Sequence, residues 1–175
     1  MSASPALRCV VALGGNARSP RGVETAVRAL AELAVERTLV VTCRDGPWAG
    51  RLEAVLAAAG LGLVRVGDDL SAALLGERLG ARSLLLLTGV AAVERGWGTA
   101  HAAPIGRTTP EELRRLDFAP GSMGAKVEAA CHFVERTGGT AAIGSLDTAA
   151  AVARGEAGTQ ITLPGLAGDL GAHFG

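Results

Sequence analysis

Short apolar runs alternate with stretches of helical periodicity along this chain, and that alternation restricts the possible folds more than any other feature. Between the runs, apolar side chains recur every three or four residues, as in Val23, Val27 and Leu30, which is typical of helices that cover a sheet. A run without polar residues, such as LLLL at 84–87, is typical of a parallel strand buried on both faces. The pattern predicts an α/β fold, a three-layer αβα sandwich with a mainly parallel sheet. The predicted strands cover residues 8–13, 38–42, 61–66, 83–87, 140–144 and 159–163, and residues 90–103 are expected to form a hairpin or a loop.

Length and charge restrict the class of protein. A chain of 175 residues suits one domain, here 1–175, in which the glycine-rich stretch 164–175 is expected to be a flexible tail. The 17 basic and 17 acidic residues give zero net charge, so the chain lacks the long-range field that binders of nucleic acid or anionic membranes use. No apolar run approaches the roughly 20 residues that cross a bilayer. We expect small-molecule or protein partners, with no nucleic acid and no membrane.

The cysteines indicate a reducing compartment. Cys9, Cys43 and Cys131 are odd in number and lack CxxC spacing, and no charged and apolar leader precedes them. Free thiols of this kind are typical of a cytoplasmic protein.

Turns that follow predicted strands are the expected place for a ligand, because open α/β sheets bind ligands at the carboxyl ends of their strands. Gly14, Gly15 and Asn16 follow the first strand and form either a tight turn or a backbone nest for an anion. Arg44 and Asp45 follow the second strand and present charge to the same cleft or occupy a plain surface turn.

Two further segments carry charge at predicted helix starts. Asp68 and Asp69 follow the third strand and either cap a helix or hold Mg²⁺ beside phosphate oxygens. Residues 121–126, GSMGAK, place Lys126 in the predicted first turn of a helix. A cation is unfavourable there unless an anion shares the site, so Lys126 is either an ordinary solvated side chain or part of a phosphate site. The patterns GxxxxGK[ST] and GxGxxG are absent, which argues against a P-loop and a Rossmann fingerprint.

Four stretches together resemble carbamate kinase, of the amino-acid-kinase fold, whose members move a phosphoryl group between ATP and a small carboxylate-like acceptor. They are VVALGGNA (10–17), LLLLTGVAAVERGWGT (84–99), TTPEELRRLDFAPGSMGAKVEAACHFVERTGGTAAIGSL (108–146) and GEAGTQI (155–161). The resemblance implies ATP or ADP with Mg²⁺ as cofactors and a carbamoyl or acyl phosphate as the other ligand.

The resemblance also assigns roles to individual residues. It implies a catalytic role for Lys126, while Asp45 and Asp68 are candidate catalytic residues from their positions after the second and third strands, and Asp68 and Asp69 are candidate metal ligands. Trp97 is a candidate to stack on a flat ligand or to close a loop. The candidate nucleotide- and phosphate-binding residues are Gly14, Gly15, Asn16, Thr88, Val90, Trp97, Met123, Gly124 and Lys126.

The chain departs from the family's pattern at three places. Between residues 50 and 64 it lacks the central region that in the family holds a protruding subdomain, a dimer helix and a lysine facing the acceptor. The family's HGNGPQVG appears as CRDGPWAG at 43–50, and its DKDLAS appears as GDDLSA at 67–72, so that Asp68 stands where the family has a catalytic lysine.

Three functions are therefore considered. The chain is a reduced carbamate kinase that phosphorylates carbamate or another small acid, or a degenerate relative that binds a nucleotide or carbamoyl compound as a partner or regulatory subunit. The third possibility is non-kinase chemistry that uses Cys43, Arg44, Asp45 and Asp68. Apolar surface left by the absent region predicts a homo-oligomer or a complex with another protein.

Overall fold

The structure is a computed structural model that describes residues 8–118 and 121–165. Its strands are β1 (Arg8–Leu13), β2 (Thr38–Arg44), β3 (Leu63–Val66), β4 (Ser83–Thr88), β5 (Glu94–Arg95), β6 (Ala103–Pro104), β7 (Arg107–Thr108), β8 (Thr140–Ser145) and β9 (Thr159–Ile161). Its helices are α1 (Pro20–Ala34), α2 (Ala49–Ala58), α3 (Asp69–Arg78), α4 (Pro110–Arg114), α5 (Ser122–Thr137) and α6 (Ala149–Ala153). Short 3-10 turns cover Gly15–Arg18 and Leu146–Thr148.

Seven strands form one sheet in the order β3-β2-β1-β4-β8-β9-β7. The five strands from β3 to β8 are parallel, and Leu13 at the end of β1 lies between Cys43 of β2 and Leu87 of β4. The chain builds outward from β1 to β3 and then returns to add β4 on the other side of β1. This reversal of strand order leaves a crevice at the carboxyl ends of β1 and β4, where such sheets bind ligands.

Helices cover both faces of the sheet, which confirms the predicted three-layer arrangement. Alternate residues of β1 point to opposite faces, so Cys9, Val11 and Leu13 pack with α1, α2 and α6, while Val10 and Ala12 pack with α3, α4 and α5. Where α3 crosses α5, a Cβ at Gly76 would lie 2.9 Å from the ring of Phe133. That close approach requires glycine and sets the distance between the two helices that reach the candidate site.

The region after β4 forms the hairpin that was one of the two expected structures for residues 90–103. The hairpin of β5 and β6 extends to Pro104, and Val93 accepts a backbone hydrogen bond from Ile105 at 2.8 Å. The buried Thr159 hydroxyl accepts from the Val93 N–H at 2.9 Å and donates to the Ile105 carbonyl at 2.6 Å, which anchors the hairpin to β9. Strand β7 was not predicted, because two residues carry no periodicity and this strand exists only through its pairing with β9.

Two further sequence predictions concern the end of the chain and the membrane. The predicted sixth strand is shorter than expected and runs antiparallel to β8. Of the predicted flexible tail, residues 166–175 lie outside the described residues. No helix within 8–118 and 121–165 has the length and apolar character of a membrane span.

Candidate functional site

The glycine turn after β1 lies directly beside the end of β4. The backbone N–H of Gly14 donates to the carbonyl of Leu87 at 2.8 Å, and the Ala17 N–H donates back to the Gly14 carbonyl at 3.2 Å. The chain then enters the 3-10 turn Gly15–Arg18. This turn and Thr88, the last residue of β4, therefore border the crevice at the strand-order reversal, while the side chain of Asn16 lies outside the described part of the structure.

Helix α5 begins at the same edge of the sheet, because it precedes the parallel strand β8 and runs opposite to it. Its N-cap residue, Gly121, has φ 154° and ψ −165°, a conformation open only to glycine, and glycine has no side chain with which to cap the helix. Helix α5 starts at Ser122, so Lys126 is its fifth residue and begins the second turn rather than lying in the first. Met123 and Gly124, half-buried, lie in the first turn.

Lys126 is buried and faces a carboxylate of the same chain. Its Nζ donates to Oδ1 and Oδ2 of Asp69 at 3.0 Å and 2.9 Å, and the two side chains are 10% and 16% exposed. Lys126 is thus not a solvated side chain, and the anion beside it is supplied by the start of α3. An ammonium group has three donors, so the contact with one carboxylate orients the group without exhausting it.

Asp68 is a helix cap. Its Oδ1 accepts from the backbone N–H and the hydroxyl of Ser71, both at 2.7 Å. These two bonds, from the hydroxyl first and the backbone second, hold the pKa of Asp68 below its usual value, and the charge of Arg44 adds to the effect. The residue that contacts Lys126 is therefore Asp69, and Asp68, which stands where the family has a lysine, does not contact it. Among the described residues no group of three or more His, Cys, Asp and Glu side chains converges as metal ligands, and the magnesium assignment to Asp68 and Asp69 stays a prediction.

Asp45 lies on the outer side of the edge, toward β3. It is 74% exposed, accepts from the Gly46 N–H at 3.0 Å and lies 3.2 Å from Arg65, which also binds Glu53 at 2.7 Å. The structure does not bring Asp45 into contact with Lys126, and its turn is exposed and held by these local bonds.

The three thiols are all buried. Burial raises the pKa of Cys9 and Cys43, and it raises that of Cys131 to about 11. A raised pKa keeps these groups protonated at neutral pH, which argues against Cys43 as a nucleophile.

Val90 and Trp97 follow β4 in the segment that carries the hairpin. Val90 is half-buried, whereas Trp97 is 69% exposed in the loop between β5 and β6. No described contact joins Trp97 to the glycine turn or to Lys126, so its proposed role with a ligand stays a prediction.

One basic residue of the site, Arg18, was missed at the sequence level. Lys126 was identified there, and the fact that it is the only lysine of the chain, beside sixteen arginines, also singles it out. Arg18 ends the 3-10 turn after the glycine pair, and its guanidinium carbon lies 5.8 Å from the centroid of the Trp48 ring. The sequence feature that could have indicated Arg18 is a basic residue three positions after Gly15.

A groove of about 310 Å³ lies on the face of the sheet that α1 and α6 cover, opposite to α3 and α5. It runs between α1 and the segment that follows β8. Its walls include Thr25, Arg28, Asp147 and Arg154. None of the predicted site residues lines it.

Comparison with known proteins agrees with the fold and the motifs. The model of the amino acid kinase family matches residues 45–145. A carbamate kinase of Rhizobium meliloti is 47% identical over 97 residues, which cover 55% of this chain and 30% of the relative. A carbamate kinase of Escherichia coli O6:H1 is 39% identical over 132 residues, which cover 75% of this chain and 43% of the relative. The chain thus spans less than half the length of either relative.

Solved structures show the same fold. A carbamate kinase from Giardia lamblia bound to AMP-PNP superposes with a TM-score of 0.77 at 18% identity, over 90% of this chain and 99% of that one. Uridylate kinase from Archaeoglobus fulgidus superposes with a TM-score of 0.66 at 15% identity, over 88% and 99%. Together with the matched family model, these findings establish that the chain is carbamate kinase-like and belongs to the amino acid kinase family.

Proposed function

We propose that the chain binds ATP or a carbamoyl or acyl phosphate at the crevice between β1 and β4, with the phosphate beside Lys126. The observation that carries this proposal is the buried ammonium of Lys126, near the start of α5, which Asp69 at the start of α3 holds in place. The free N–H groups of a helix start favour an anion, and an oriented ammonium nearby adds to that preference.

The glycine turn supports the same location. Gly14 and Gly15 border the end of β4, where backbone without side chains lets a phosphate approach closely. The relative from Giardia lamblia was solved with AMP-PNP, an ATP analogue, which favours a nucleotide among the phosphate ligands.

Phosphoryl transfer from ATP to carbamate, or to another small acid, is the reaction that such a site would perform. Catalysis of this kind depends on cations around the transferred group, and loss of one such group commonly slows the reaction by a factor of roughly a hundred or more. Asp68, which stands where the resemblance has a lysine, is an acid that caps α3. We therefore propose binding as the primary function and slow or absent transfer, as in a partner or regulatory subunit.

Mg²⁺, when it accompanies ATP, would neutralise phosphate charge. Asp68 fits such an ion, because its Oδ1 is occupied by Ser71 while its Oδ2 has no described bond. Asp69 does not fit as a direct ligand, because both of its oxygens contact Lys126.

The test is calorimetric titration of the purified protein with ATP·Mg²⁺, ADP and carbamoyl phosphate. We expect at least one of them to bind, and we expect Lys126→Met to weaken that binding by about a hundredfold, since an ion-paired contact to phosphate is lost. The matched control is Arg28→Met, which removes an exposed cation on the opposite face of the sheet and should leave binding unchanged. An absence of heat with all three ligands would overturn the proposal.

A turnover assay distinguishes a working kinase from a partner or regulatory subunit. With ADP and carbamoyl phosphate as substrates, binding without formation of ATP supports a partner or regulatory role. Formation of ATP by the wild type, with none by Lys126→Met, supports a working kinase.

We further propose that the chain self-associates through the outer edge of β3. Four exposed apolar side chains surround that edge, Val55 of α2, Val64 of β3, and Leu70 and Leu74 of α3. Within the described residues β3 ends the sheet, and its free N–H and C=O groups can pair with the same edge of a second copy about a two-fold axis.

Light scattering should give the mass of two chains. Val64→Lys should reduce the measured mass to that of one chain, whereas the control Val35→Lys, at the end of α1, should leave it at two. A one-chain mass for the unaltered protein would contradict this.

A further inference from the structure

Four basic side chains lie at or near the carboxyl edge of the central strands, and they differ in what neutralises them. Lys126 faces Asp69, and Arg65 faces Asp45 and Glu53. The positive charge of Arg44 contributes to lowering the pKa of Asp68. Arg44 and Arg18 have no carboxylate within ion-pair distance among residues 8–118 and 121–165, and the guanidinium of Arg18 lies instead over the Trp48 ring.

Arg18 lies against the glycine turn itself. A Cβ at Gly15 would be 3.6 Å from Nε and 3.7 Å from Cζ of Arg18, so the guanidinium lies beside the space that a side chain at Gly15 would occupy. On its other side the Trp48 ring, at the start of α2, lies 5.8 Å from Cζ. An aromatic face attracts a guanidinium and leaves its edge of N–H donors free.

We propose that Arg18 is a phosphate-binding residue, which donates from its guanidinium edge to the phosphoryl oxygens of a ligand held at the Gly14–Gly15 turn. This inference rests on the proposed function and adds the residue that would recognise the phosphate from the β1 side. A planar fork of N–H donors matches two phosphate oxygens at once, and prior contact with Trp48 lowers the ordering cost of that bond.

The position in the sheet favours Arg18 over Arg44. Arg18 follows β1, which borders the strand-order reversal, whereas Arg44 ends β2, one strand further out, and acts on Asp68. A ligand in the crevice would lie between Arg18 on the β1 side and Lys126 at the start of α5. The two cations would then contact a phosphate from different elements.

The test compares wild type with Arg18→Met, Arg18→Lys and the control Arg28→Met, titrated with ATP·Mg²⁺, carbamoyl phosphate and inorganic phosphate. Arg18→Met should weaken the binding of whichever of these the wild type binds by about tenfold or more, as expected for one charge-assisted bond. Arg18→Lys should recover only part of that loss, because an ammonium lacks the planar fork. Arg28→Met should bind as the wild type does.

Tryptophan fluorescence provides a readout independent of affinity. Because Arg18 lies over Trp48, a ligand that engages Arg18 should change the emission of the wild type, and the change should be absent in Arg18→Met at saturating ligand and reduced in Trp48→Phe. If the wild type binds a phosphate ligand and Arg18→Met binds it equally well, this inference is wrong and the proposed function stands. If the wild type binds none of the three ligands, both are wrong.

Discussion

Lys126 and Arg18 are two cations near the same edge of the sheet, and they differ in burial and in the partner that each contacts. The Lys126 side chain is 10% exposed and holds both oxygens of Asp69, while Arg18 is exposed and contacts an aromatic ring. A charge removed from water needs a partner within the fold, whereas an exposed one does not. Folding therefore neutralises the charge of Lys126 within the chain, whereas the charge of Arg18 stays available to a ligand.

The largest expected effect concerns the buried member of this comparison. Asp69→Ala leaves the Lys126 ammonium buried without its partner and should lower the free energy of unfolding by about 2 to 3 kcal/mol. The exposed pair of Arg65 and Glu53 provides the control, since Glu53→Ala should cost less than about 1 kcal/mol. Urea denaturation measures both. Equal losses would show that the two pairs do not differ as their burial indicates.

The second prediction asks whether Lys126 and Asp69 stabilise the fold together. In a double-mutant cycle with Lys126→Met and Asp69→Leu, the double variant should be more stable than the Asp69 variant alone, because an apolar pair replaces an unpaired charge. We expect a coupling energy of about 1 to 2 kcal/mol from urea unfolding. Additive losses would mean that the contact contributes nothing to stability.

The sequence predicted the scaffold well because local pattern and topology agree there. The apolar runs of β1, β2, β4 and β8 are each buried between two helical layers, and burial of that kind is visible as an unbroken apolar run. Of the two alternatives given for Asp68, the helix cap is the one that the structure shows, at the start of α3.

The site was less predictable because its contacts join residues far apart in the chain. Fifty-seven positions separate Lys126 from Asp69, and only the packing of α3 against α5 shows that Asp69 rather than Asp68 is the partner. Adjacent residues of a helix start point in different directions, so sequence alone could not choose between the two acids. The Arg18–Trp48 contact likewise depends on how two turns meet.

A third prediction concerns Asp68, the neighbour that lies outside the buried pair. Asp68→Ala removes the cap of α3 and should cost about 1 kcal/mol, while Asp68→Asn should cost much less. Because hydrogen bonds from Ser71 lower the pKa of Asp68, the charged cap stabilises the fold above the ordinary value of 3.8 and loses that effect as the pH falls through the lower, folded-state pKa. The stability difference between wild type and Asp68→Ala, followed by urea unfolding, should therefore shrink below about pH 4. A constant difference would exclude an ionised cap.

The smallest effect on stability is expected for Arg18. Arg18→Met removes an exposed contact with Trp48 and should change the free energy of unfolding by about 0.5 kcal/mol or less, although it weakens phosphate binding. Thermal unfolding and calorimetry on the same samples measure the two effects. A large loss of stability would mean that Arg18, like Lys126, is needed for the folded structure and is not reserved for a ligand.

The most direct test of phosphate binding beside Lys126 uses the fact that it is the only lysine. Limited acetylation followed by peptide mass spectrometry reports the reactivity of this one ε-amine, with the terminal amine of the chain as internal reference. We predict that ATP·Mg²⁺ or carbamoyl phosphate slows acetylation of Lys126 severalfold and leaves the terminal amine unchanged, since a bound phosphate would cover the ammonium. Equal acetylation of Lys126 with and without saturating ligand would contradict the proposed site.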